Sequence, residues 1–139
     1  MSADSTFQDK SETANEDRGV ILVVDDERVF CTVMCDILDT IGYPSGVAFS
    51  AAEALTFVEK TTPILILTDI MMPDVDGLTL INKLRSLENT ASIPIIVVSA
   101  KATSADRSAA MLSGADGFLA KPFSTKVLRD ALRPFLNDI

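Results

Sequence analysis

Val20-Ile21-Leu22-Val23-Val24-Asp25-Asp26-Glu27 runs five apolar, mostly β-branched residues straight into three acids. No polar residue alternates within the apolar part, the mark of a strand buried on both faces. Ile64-Leu65-Ile66-Leu67 and Ile95-Ile96-Val97-Val98 repeat the pattern, each just after a proline (Pro63, Pro94) that fits the start of a strand. Gly46-Val47-Ala48-Phe49 and Gly117-Phe118-Leu119-Ala120 are two weaker runs of the same kind.

Helical patterns fill the intervals. Val29, Val33, Ile37 and Ile41, flanked by Phe30, Met34 and Leu38, predict one apolar helix face. Ser50 followed by Glu53 predicts a capping box for a helix running to about Lys60. Leu78, Ile81 and Leu84 mark a third helix, and Ala109, Ala110 and Leu112 a fourth. Val127, Leu128, Ala131, Leu132 and Phe135 mark a fifth, capped by Ser124. The order is (βα) five times. Right-handed crossovers then predict an α/β fold, a doubly wound parallel sheet with strand order 2-1-3-4-5, the flavodoxin-like solution. Ligands of such sheets sit at the carboxyl ends of the strands, around the first and third.

Composition narrows the function. The chain has 139 residues, 47% of them hydrophobic, enough for one domain with a core of its own. Residues 1–18 carry five acids and one large apolar group, Phe7, and are expected to be a disordered acidic lead before a folded domain over 19–139. The lead is not expected to be a signal peptide, and no apolar run reaches the roughly 20 residues of a membrane span. No membrane partner is expected. A net charge of −8 argues against direct nucleic-acid binding, which needs clustered Lys and Arg. There is no histidine, which removes His-based catalysis and nearly every zinc site. Cys31 and Cys35 stand four apart on one helix and read as packing residues, so a reducing, cytoplasmic setting is expected. Met34 and Met111 read as core filler, and Asp74 and Asp76 as turn and cap residues for the third helix.

The carboxyl rim concentrates chemistry. Strand one ends in Asp25-Asp26-Glu27, strand three in Thr68-Asp69, strand four in Ser99-Ala100 and strand five in Lys121-Pro122. Taken singly, each has a bland reading: the acids and Ser99 as helix caps, Lys121 as a solvated surface residue. Caps and surface lysines do not explain why all of them meet on one rim. Clustered carboxylates repel unless a cation intervenes, and an oxygen-only ligand set suits Mg²⁺ or Mn²⁺. A carboxylate beside such an ion can attack phosphorus and become an aspartyl-phosphate.

The segments Leu22 to Glu27, Asp69-Ile70-Met71-Met72-Pro73-Asp74-Val75-Asp76-Gly77, Ser99-Ala100 and Gly114 to Phe123, in this order, resemble response-regulator receiver domains from about Gly19 to the carboxyl end. The resemblance implies that Asp69 is the phosphoacceptor. It implies that Asp25, Asp26, Asp69 and the backbone carbonyl of Met71 hold the metal. Lys121 would pair with Asp69 and then with the phosphoryl oxygens, Ser99 would be the switch hydroxyl beside Ala100, and Phe118 the switch aromatic. The Lys121–Pro122 bond is expected to be cis. The implied donor is a histidine kinase or phosphotransfer protein, with small donors such as acetyl phosphate as substitutes. The implied target is a downstream effector protein or a fused output domain, met by the surface of helix four, strand five and helix five, around Lys101 to Arg133. A phosphorylation-dependent dimer is among the expectations. Met71 and Lys101 occupy the positions that tune hydrolysis in the family, and apolar Met71 implies a slow loss of the phosphoryl group.

Three rival functions use the same fold. A phosphatase of the haloacid-dehalogenase class needs a second acid two residues after its nucleophile, where this chain has Met71. A flavin-binding protein needs a hydroxyl-rich phosphate loop after strand one, where this chain has three acids. A phosphorylation-independent pseudo-receiver, purely a binding module, usually lacks the acidic pair or the lysine, and both are present here.

Overall fold

A computed structural model describes residues 18–72, 74–137 and 139. The expectation of a disordered lead therefore lies, but for Arg18, outside the described residues. The strands are β1 (Ile21–Val24), β2 (Ser45–Ala48), β3 (Leu65–Thr68), β4 (Ile95–Ser99) and β5 (Gly117–Ala120). The helices are α1 (Arg28–Ile41), α2 (Ala51–Lys60), α3 (Gly77–Ser86), α4 (Ser104–Ser113) and α5 (Thr125–Leu132). All strand pairs are parallel and the order is β2-β1-β3-β4-β5, as expected.

Register carries the strand ends to one line. Val24 pairs with Ala48 on one side and Thr68 on the other, and Ser99 pairs with Ala120. The ladder continues one step further: Asp69 N–H donates to Val24 O and Lys121 N–H to Ser99 O, both at 3.0 Å. Asp25, Asp69 and Lys121 thus leave the sheet at one level.

Alternating strand residues feed two cores. Ile21, Val23, Leu65, Leu67, Ile96 and Val98 pack under α1 and α5, while Leu22, Val24, Ile66, Ile95 and Val97 pack under α2, α3 and α4. Gly42 and Gly114, at φ 106° and 116°, end α1 and α4 in the left-handed conformation that glycine adopts without strain.

Several helix readings need correction. On α1 the buried residues are Cys31, Met34, Leu38 and Ile41, whereas Val29 and Val33 are 78% and 50% exposed. The apolar arc of α1 is wider than the sheet can cover. The small Cys31 takes the close approach, its thiol donating to Asp25 O at 3.4 Å. On α4 only Ala110 is buried; Met111 and Leu112 face out. Val127 of α5 is also exposed, while Leu128 and Leu132 carry the packing.

The caps divide in the same way. Ser124 accepts from Val127 N–H and Asp76 from Leu78 N–H, as read from the sequence. Ser50 caps α2 by accepting from Glu53 N–H, but Glu53 reaches back to Phe49 N–H, one residue earlier than a capping box requires. Asp74 does not serve α3: its carboxylate accepts from Ala51 and Ala52 N–H at the start of α2.

Candidate functional site

Three carboxylates surround one ammonium at the carboxyl rim. Lys121 Nζ lies 2.8 Å from Asp25 Oδ2, 3.2 Å from Glu27 Oε1 and 3.3 Å from Asp69 Oδ2. It also sits 4.0 Å from the Phe30 ring centroid, on the first turn of α1. Asp25 and Asp69 are buried, at 1% and 6% exposure, and each has its other oxygen held by the backbone. Asp25 Oδ1 accepts from Glu27 N–H at 2.9 Å, and Asp69 Oδ1 from Met71 N–H at 3.0 Å. The Lys121–Pro122 peptide bond is cis.

Ser99 is fully buried at the end of β4, its oxygen accepting from Lys101 N–H at 3.1 Å; Ala100 beside it is exposed. Asp26 stands on the outer rim and lines an open cleft with Ile70, Met71, Met72, Asp76 and Lys101. Phe118 is half-buried against the α2–α4 core, with the Arg107 guanidinium 4.8 Å from its ring centroid. Asp25, Asp69 and Lys121 are therefore in direct contact, whereas Asp26, Ser99 and Phe118 surround that cluster without a direct bond to it.

The electrostatics show a shortage of positive charge. Burial raises the pKa of Asp25, against the hydrogen bonds from Lys121 and Glu27 N–H, and the charge of Asp69 adds to the rise. Burial pulls Lys121 down, but the hydrogen bond and charge of Asp25, then Asp69 and Glu27, outweigh it and raise its pKa. Three carboxylates against one ammonium leave the cluster net negative. Among the described residues no three acidic or thiol side chains form a ready-made metal cage. Mg²⁺ does not need one, because it keeps several waters and binds through one or two carboxylates. Asp25 and Asp69 offer it buried carboxylates, and Asp26 lines the adjoining cleft.

Sequence reasoning missed two participants. The sequence puts Glu27 on the rim but not against Lys121, and Phe30 only in the α1 stripe. The one available signal was position: both fall within five residues of Asp25, at the turn into α1.

The sequence model of the response regulator receiver domain matches residues 21–133. The chain is 39% identical over 117 residues to a probable transcriptional regulator, ycf27, of Cyanophora paradoxa, covering 84% of this chain and 48% of that protein. It is 33% identical over 131 residues to the sensor histidine kinase RcsC of Salmonella typhimurium, covering 94% of this chain and 14% of the kinase. The chain thus spans about half the length or less of these relatives. Among solved structures, the receiver domain of sensor histidine kinase PA1611 from Pseudomonas aeruginosa, with a magnesium ion coordinated in its active-site cleft, is similar at a TM-score of 0.78 and 31% identity, covering 84% of this chain and 96% of that one. The flavodoxin-like strand order, the acid–lysine cluster at its rim and these matches together make the chain a member of the response-regulator receiver-domain family.

Proposed function

We propose that this domain accepts a phosphoryl group on Asp69, from a histidine kinase or phosphotransfer protein, with Mg²⁺ held by Asp25, Asp26, Asp69 and the Met71 carbonyl. The observation that carries the reading is Lys121 Nζ bridging Asp25 and Asp69, at 2.8 and 3.3 Å, at the carboxyl ends of β1, β3 and β5. The oxygen donor set and the net negative charge of the cluster fit a divalent ion, which when bound neutralises charge on the transferring phosphoryl oxygens. An Asp69 carboxylate oxygen attacks phosphorus and forms an acyl phosphate as the donor's bond to phosphorus breaks, its electron pair leaving with the donor. Lys121 moves from the Asp69 carboxylate to the phosphoryl oxygens it faces. Ser99 turns its hydroxyl to donate to the same group.

The apolar groove beside Lys121, lined by Phe30, Val33, Met34, Ile37, Pro122 and Phe123, suits the docking of a donor protein next to the acceptor. Output passes through α4, β5 and α5, with Phe118 turning inward as Ser99 moves, toward an effector protein or a fused output domain, in the cytoplasm. The test is intact-protein mass after incubation with acetyl phosphate and Mg²⁺. One added phosphoryl group, absent in Asp69→Asn and after EDTA, supports the reading. No addition from acetyl phosphate or from a phosphorylated histidine kinase would leave a binding module that keeps the pocket without using it.

A further inference from the structure

The loop between β3 and α3 presents the Met71 backbone to Asp69. It closes on itself at its base, where Gly77 N–H donates to Ile70 O at 3.1 Å. Gly77 is needed there, since a Cβ would stand 2.4 Å from the Ile70 Cα and 2.6 Å from the Asp69 carbonyl oxygen. Outside itself the loop rests on the core through Ile70 and Met72, and its far side is tied to α2. Asp74 Oδ1 accepts from Ala51 N–H at 3.2 Å and Oδ2 from Ala52 N–H at 3.1 Å, across 23 and 22 residues of chain.

Those two donors open α2, where helix N–H groups have no partner within the helix. The next two are served locally, Glu53 N–H by Ser50 Oγ and Ala54 N–H by Ser50 O. Asp74 therefore completes a helix end that its own sequence leaves half capped. Apolar packing between loop and helix is incomplete: Ala51, Ala52, Leu55, Val75 and Thr79 border a cleft of about 230 Å³, and Val75 is 37% exposed. A two-oxygen carboxylate tie to fixed donors holds direction better than so incomplete a contact.

Resting on the reading of Asp69 as phosphoacceptor, we propose that Asp74 is a positioning residue for phosphoryl acceptance. By gripping the first two N–H groups of α2 it sets where the Met71 N–H and carbonyl stand beside Asp69. Met71 is three residues from Asp74, so slack at the tie reaches the Asp69 Oδ1 hydrogen bond and the oxygen offered to the metal.

The experiment is calorimetric titration of the unphosphorylated full chain with Mg²⁺, alongside initial rates with acetyl phosphate, for wild type, Asp74→Ala, Asp74→Asn and Ser50→Ala. Outer partners of metal ligands change affinity by about 10–100-fold, and one step further out the expected loss in Asp74→Ala is about three- to tenfold. Asp74→Asn, which keeps one acceptor oxygen without the charge, should fall between wild type and Asp74→Ala. Ser50→Ala weakens the same helix end without touching the loop, and should bind Mg²⁺ as wild type does. The proposal is overturned by wild-type affinity in Asp74→Ala. Equal loss in Ser50→Ala would overturn it by assigning the effect to helix stability, and equal loss in Asp74→Asn by assigning it to charge alone. A wild type that neither binds Mg²⁺ nor takes a phosphoryl group overturns the underlying reading instead.

Discussion

Lys121→Met removes the ammonium that three carboxylates share and keeps most of the side chain's length and apolar stem. Glu27 is 66% exposed and can turn to water, but the Asp25 and Asp69 side chains are 1% and 8% exposed and cannot. Removing one partner of a buried pair costs about 3–5 kcal/mol. The raised pKa of Asp25 lets it take up a proton and escape part of that cost, so the lower end, about 3 kcal/mol, is expected near neutral pH. For a domain of this size that is a fall in Tm of roughly 10 °C. Mg²⁺ should restore more of the loss in the variant than it adds to wild type, where it must compete with Lys121 for the same oxygens. At about ten times its Kd a ligand adds about 1.4 kcal/mol. Circular dichroism melts in EDTA and in Mg²⁺ measure both effects. A variant that melts within about 2 °C of wild type in EDTA, or gains no more from Mg²⁺ than wild type, would mean that Lys121 does not offset the buried Asp25 and Asp69 charges.

Other consequences are as direct. The native-state pKa of Asp25 lies above its unfolded value of about 3.9, so between the two the native state holds a proton that the unfolded state has lost. Stability in EDTA therefore falls as pH rises through that window; Asp25→Asn should flatten the fall in urea midpoints, and a steeper fall would contradict it. Gly77→Ala drives a Cβ into the Asp69–Ile70 backbone and should cost about 1–3 kcal/mol while slowing phosphorylation; an unchanged midpoint and rate would contradict that geometry. The Cys31 thiol is pushed up to about 11, first by burial and then by the charge of Asp25. Only roughly one part in a thousand is thiolate at about pH 8, so iodoacetamide should label native Cys35 well before Cys31, and equal rates would count against the buried placement.

The strands were legible because a parallel sheet covered on both faces admits only apolar residues, and each run ends where the rim begins. The observed β3 is one residue later than its run because Thr68 continues the pairing with Val24. The helices were less legible. Val29 and Val33 carry the same apolar signal as Met34 and Leu38, and only the placement of the sheet separates the exposed pair from the buried one. At the site, the end of each apolar run and the parallel order suffice to bring Asp25, Asp69 and Lys121 to one rim. Contacts made by side-chain reach leave no period in a sequence: Glu27 and Phe30 against Lys121, Arg107 against Phe118, and Asp74 on α2.

The position of the phosphoryl group itself decides whether Asp69 is the acceptor. Protein treated with acetyl phosphate and Mg²⁺ would be reduced with borohydride, which converts an aspartyl-phosphate to homoserine, and the peptides sequenced by tandem mass spectrometry. Phosphorylation of Asp69 gives homoserine at position 69 and nowhere else. Homoserine at 25 or 26, or phosphate retained on a serine or threonine, would contradict it.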